Sequence, residues 1–148
     1  MAQNLREQVL DNIQTVLSEM DDPSPVLVTR EPFEAEKLAI TQFPAILITA
    51  RVEERETITM GIPGAGRRQG TLDIEIRGFV RGVELDRRRN DLIERIEEAL
   101  DSDRYRDLRS QGVIDSQIVT IEIEDRLPPL AEITVTFRVR YNYIRTAT

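Results

Sequence analysis

Ile133-Thr134-Val135-Thr136-Phe137-Arg138-Val139-Arg140-Tyr141-Asn142-Tyr143 alternates apolar and polar side chains without a break. Successive side chains of a strand point to opposite faces, so this run predicts a strand with one buried and one polar face. About 12 residues at ~3.3–3.4 Å each give a strand of ~40 Å, where the usual strand has ~5–6 residues. Upstream, Val119, Ile121 and Ile123 alternate with Thr120, Glu122 and Glu124, and the segment up to Leu130 contains Pro128-Pro129. That spacing predicts a hairpin with Ile123 opposite Ile133 and Val119 opposite Phe137, all on one face.

The pattern extends toward the N-terminus. Leu72, Ile74 and Ile76 alternate with Asp73, Glu75 and Arg77, as in another half-buried strand. Ala45 to Ala50 is apolar on both faces and reads as an inner strand that turns polar from Arg51 to Glu56, and Val26 to Thr29 reads as a short strand. Two helices accompany them. Leu5, Val9, Ile13, Val16, Leu17 and Met20 recur at spacings of three and four, and Asp21 to Pro25 ends the stripe. Leu92, Ile93, Ile96, Ala99 and Leu100 form the apolar stripe of a second helix over Asp86 to Leu100, with Asp86 as N-cap and Arg87-Arg88-Arg89 on the solvated face. Glu31 to Phe43 reads as irregular, with one helical turn near Glu34 to Leu38. Thr57 to Gly70 contains Gly61, Pro63, Gly64, Gly66 and Gly70 and predicts a flexible loop at 57–70. The expected fold class is α+β: a mainly antiparallel sheet of about five strands, with two helices packed on one face.

The 148 residues fit a single domain spanning 1–148. A globule of this size buries roughly 68–70% of the surface of its unfolded chain and needs no disulfide or metal to hold together. The chain has no cysteine and no histidine, which removes thiolate zinc sites, nucleophilic triads and the commonest neutral-pH base. Acidic residues number 27 against 20 basic ones, and the net charge of −7 disfavours general nucleic-acid binding. Lys37 is the only lysine; the other basic residues are arginines, whose planar fork suits protein–protein contacts. No stretch approaches the ~20 apolar residues of a membrane span and the N-terminus does not read as a signal peptide, so a soluble protein is expected.

Candidate chemistry is sparse. Gly64-Ala65-Gly66-Arg67-Arg68-Gln69-Gly70 precedes a strand, whereas a dinucleotide-binding loop follows a strand and opens a helix. It also lacks the Gly-Lys-Ser/Thr ending of a P-loop. Asp73, Glu75 and Arg77 share one strand face in the acidic-x-acidic-x-basic spacing of magnesium-dependent nucleases, with arginine where those enzymes carry lysine. A nuclease using Asp73 and Glu75 is therefore an alternative to the main reading. A small-ligand module is a third, for which no specific pocket shows in the sequence. Glu53, Glu54 and Glu56 form an acidic cluster with no fixed partner in sight. No catalytic residue, metal or cofactor is expected.

Taken in order, these elements resemble the tail-terminator proteins of long-tailed bacteriophages. The resemblance is carried by the opening helix, by Phe43-Pro44-Ala45-Ile46-Leu47-Ile48 after an irregular arm, and by a Gly-rich loop before Gly70-Thr71-Leu72-Asp73-Ile74-Glu75-Ile76. A helix ending Leu100-Asp101-Ser102-Asp103 and a closing pair from Ile118 to Tyr143 complete it, and related neck and tail-completion proteins share much of this order. The resemblance implies a structural virion protein without catalysis. Its subunits would form a homo-oligomer, a hexameric ring that caps the tail tube and offers the docking surface for the head. Partners would be the tail tube protein and head–tail connector proteins, with DNA passing through the ring without specific binding. Its place would be the virion tail or neck, after assembly in the host cytoplasm. Met60, Ile62, Arg67 and Arg68 are the candidate interface or channel loop, and Arg138 and Arg140 the candidate subunit-contact strand face. Arginine–carboxylate pairs between subunits predict an assembly that weakens with salt.

Overall fold

The long alternating run forms β5 (Leu130–Ile144), which pairs antiparallel with β3 (Arg67–Arg81) on one side and β4 (Val113–Glu124) on the other. This computed structural model describes residues 4–21, 24–57, 67–124 and 126–144. β2 (Ala45–Thr57) lies antiparallel beyond β3, and β1 (Leu27–Thr29) lies parallel to β2, giving a five-stranded sheet of order β1-β2-β3-β5-β4. The α+β fold with a mostly antiparallel sheet is the one its periodicities predict.

One face of the sheet carries the main core. Ile46, Ile48, Leu72, Ile74, Ile76, Ile133, Val135, Phe137 and Val139 are buried there against α1 (Leu5–Ser18) and α2 (Leu85–Asp101). The helices contribute Val9, Ile13 and Leu17, and Leu92, Ile96 and Leu100, from the stripes expected from their spacing, and Leu10 joins them while the expected Val16 is half-buried. Each such side chain contributes about 1.5–3 kcal/mol on burial, which outweighs weak local propensities. Asn4 caps α1 by accepting the Glu7 N–H at 2.8 Å.

Four details depart from the expectation. Asp86 is not the N-cap of α2; Glu84 stands there with φ 55° and makes no side-chain cap bond, while the Asp86 carboxylate accepts from Arg89. The chain leaves β3 through left-handed Gly82 and Glu84, so the helix starts at Leu85, which packs against the core. In the β4–β5 hairpin, Ile123 stands opposite Ile133 as predicted, but an irregularity between Ile118 and Thr120 sets Ile118, not Val119, opposite Phe137. The ends of the predicted 57–70 loop are strand: Thr57 pairs with Arg68, and β3 already runs at Arg67. Finally, the arm at 31–43 forms two 3₁₀ turns, Ala35–Lys37 and Ile40–Gln42, and covers one end of the opposite sheet face. Ala35, Ala45, Leu47, Phe79 and Leu130 make a second small core there, with Phe33 edge-on to Phe79 at 5.3 Å.

Candidate functional site

Beyond the arm, the outer face of the sheet is a field of arginine–carboxylate pairs. Asp73 on β3 accepts both arms of Arg138 on β5, at 2.8 and 3.2 Å. Glu75 lies 3.3 Å from Arg51 and 3.8 Å from Arg77. Both carboxylates of the nuclease reading are thus held by cations from neighbouring strands, and a magnesium ion would have to displace them. Among the described residues no cluster of His, Cys, Asp and Glu could hold a metal ion.

The same face buries a carboxylate that no sequence pattern announces. Glu132 accepts from Arg77 at 2.9 Å and from Arg126 at 2.7 Å. Both guanidiniums lie over the Phe79 ring, at 5.2 and 5.5 Å, and Arg126 also pairs with Glu36 of the arm. Burial pushes the Glu132 carboxyl up, but the two arginine hydrogen bonds outweigh it and hold the group below its ordinary value. Glu124, its cross-strand partner, is pushed up by its own burial and by the Glu132 charge.

At the far end of the helix-side face, Glu53 is fixed rather than free. It accepts from Arg6 of α1 at 2.8 Å, from Arg55 at 3.0 Å and from the Tyr141 hydroxyl at 2.9 Å. Burial raises the Glu53 carboxyl, and these three donors more than offset it. Gly70 makes room for the Tyr141 ring, and Arg55 lies 4.8 Å from the centre of the Tyr143 ring. Only the spacing Glu53-x-Arg55 hints at this cluster in the sequence; the other members come from distant elements.

The candidate residues separate. Met60 and Ile62 lie outside the described residues, and Arg67 is described only through its backbone in β3. Arg68 stands opposite Tyr143, in the alternation of the helix-side face, whereas Arg138 and Arg140 are on the outer face. Arg138 is tied to Asp73; Arg140 is exposed and lines a shallow basin of about 310 Å³ with Thr71, Gln69 and Glu54.

The sheet edges, which carry no chemistry, are open. β1 pairs only with Ala45–Leu47, so among the described residues no strand pairs with the outer side of β2 from Ile48 to Thr57. β4 is the other edge. No described helix is long and apolar enough to cross a membrane.

No family model matches the sequence, and no curated protein matches it. Among solved structures, the chain is similar to one from the "Virion of native gene transfer agent (GTA) particle". The identity is 12%, the TM-score 0.54, and the match covers 94% of this chain and 95% of that one. At that identity the likeness is one of fold, and it spans the whole domain rather than a shared supersecondary unit.

Proposed function

We propose that the chain is a structural subunit of a phage-like virion, and specifically a tail terminator. Copies close into a ring, six in this reading, that caps the finished tail tube and presents the surface where the head docks. The observation that carries the reading is the end-to-end match to a chain of a gene transfer agent virion, at 94% and 95% coverage. Two open sheet edges, and paired rather than poised carboxylates on the outer face, support a part that assembles rather than one that reacts. The net charge of −7 suits a ring through which DNA slides without sticking. A different neck or tail-completion part would share the fold and the edges, and would differ in what it binds.

The test is assembly. Light scattering over a wide concentration range, with and without tail tubes, should find a discrete ring, and electron microscopy should find that ring at the tube end. A strict monomer under both conditions sinks the reading. A ring that binds connector rings but never tubes moves the chain to another place in the neck.

A further inference from the structure

β4 is the least covered strand of the sheet. Ile121 and Ile123 stand opposite Val135 and Ile133, which are fully buried, yet they are themselves 37% and 53% exposed. Val119 beside them is 36% exposed, and Val83 and Leu127 at the same end of the sheet are 73% and 88% exposed. An unpaired edge with a row of β-branched apolar residues is a template for another strand, and natural sheets blunt such edges unless something covers them.

The opposite edge offers the complementary shape. β1 stops at Thr29, and the line it follows along β2 is continued by a groove of about 640 Å³ between α1 and β2. Leu10, Ile48 and Ala50 supply its apolar wall, and Arg6 and Arg30 stand at its rim beside Glu7 and Glu31. We infer that β4 of one copy adds to the open β2 edge of the next, with Ile121 and Ile123 entering the groove beside α1. Charge favours these unlike edges. Two β4 edges together would gather Glu122 and Glu124 of both copies along one seam, whereas the β2 edge mixes Glu53, Glu54 and Glu56 with Arg51 and Arg55 and is closer to neutral. Because the two edges differ, every copy keeps one of each after pairing, and the contact repeats until a ring closes. The inference rests on the ring reading and names the surfaces that build it.

The chain has no cysteine, so introduced thiols report cleanly. Ala50→Cys and Ile121→Cys are placed in separate chains, mixed, and treated with a short bismaleimide. A covalent dimer is expected in the mixture and in neither variant alone, and the chain carrying both should give a ladder that ends at the ring size. Cross-linking of Ile121→Cys alone would mean that like edges pair, which overturns the inference. No cross-link in a mixture that light scattering shows to be a ring also overturns it and leaves the ring reading standing; monomers throughout remove both. As a second arm, Ile121→Arg with Ile123→Arg should leave the melting curve close to wild type, since both side chains are exposed, and weaken assembly at least ~10-fold. Unchanged assembly in that double variant counts against the inference.

Discussion

Gly70 and Tyr141 face each other across β3 and β5, and the tyrosine ring fills the space that a β-carbon at position 70 would need. Gly70→Ala should push the ring aside and break its bond to Glu53, at about 1–3 kcal/mol, whereas Tyr141→Phe removes only the hydroxyl and should cost about 1 kcal/mol. Urea melts of the two variants check the order, and a larger loss for Tyr141→Phe would contradict it. Glu132 adds a pH dependence whose sign follows from its arginines. Its folded carboxyl titrates below the ordinary value of 4.5, so its stabilisation is complete above that value and is lost as pH falls through the lowered one. Glu124 shifts upward and acts oppositely: the stability it adds when protonated is lost as pH rises from 4.5 through its raised value. Glu132→Gln should therefore cost roughly 1–3 kcal/mol near neutral pH, and the gap to wild type should shrink as acidification below 4.5 protonates Glu132. A gap independent of pH would show that packing, not charge, holds Glu132 in place.

At the scale of an element, the end of α2 depends on one arginine. Arg106 is fully buried, with its guanidinium hydrogen-bonded to the Leu100 and Asp103 carbonyls and 5.7 Å from the Phe137 ring centre. It satisfies the Leu100 carbonyl, which the helix end leaves unpaired, and it does so from a left-handed backbone, φ 52°. Arg106→Ala should cost roughly 2–4 kcal/mol and speed hydrogen exchange in the last turn of α2 more than in β3. Equal acceleration in both would mean that the arginine supports the whole core rather than the helix end. The same comparison shows what the sequence makes legible. The middle of β3, from Leu72 to Arg77, β5 and both helix stripes could be read because a period of 2 or 3.6 records which side of a local element is buried. The first half of β4 could not, because Asp115, Ser116 and Gln117 interrupt the alternation and the irregularity at Ile118–Thr120 shifts the register. The arm could not either, since its burial depends on Phe79 and Leu130, far along the chain. The ionic clusters were invisible for a related reason. Asp73 meets Arg138 and Glu53 meets Tyr141 only once the strands are in register, and sequence spacing carries no trace of that.

For the whole molecule, the proposed strand pairing between copies changes what salt should do to assembly. An abundance of arginine beside acids suggests subunits joined by ion pairs, and such contacts weaken as salt rises. The folded chain instead uses many of its arginines internally: Arg6, Arg30, Arg55, Arg77, Arg126 and Arg138 each hold a carboxylate of their own subunit. In the proposed ring, what would remain between copies is a net charge of −7 on each, which repels, and a seam of backbone and apolar side chains, which salt does not screen. The screening length shortens from ~30 Å at 0.01 M to ~10 Å at 0.1 M, a range over which subunit repulsion is removed while a seam at contact distance is not. Association measured by light scattering should therefore hold or strengthen over that range, and still hold at ~0.5 M. The same titration on Asp73→Asn with Glu75→Gln should show assembly retained, because those carboxylates serve their own sheet, and magnesium should induce no DNA cleavage by wild type. A steep fall of association with salt would place arginine–carboxylate bridges between the subunits, and magnesium-dependent cleavage lost in the double variant would return Asp73 and Glu75 to a catalytic role.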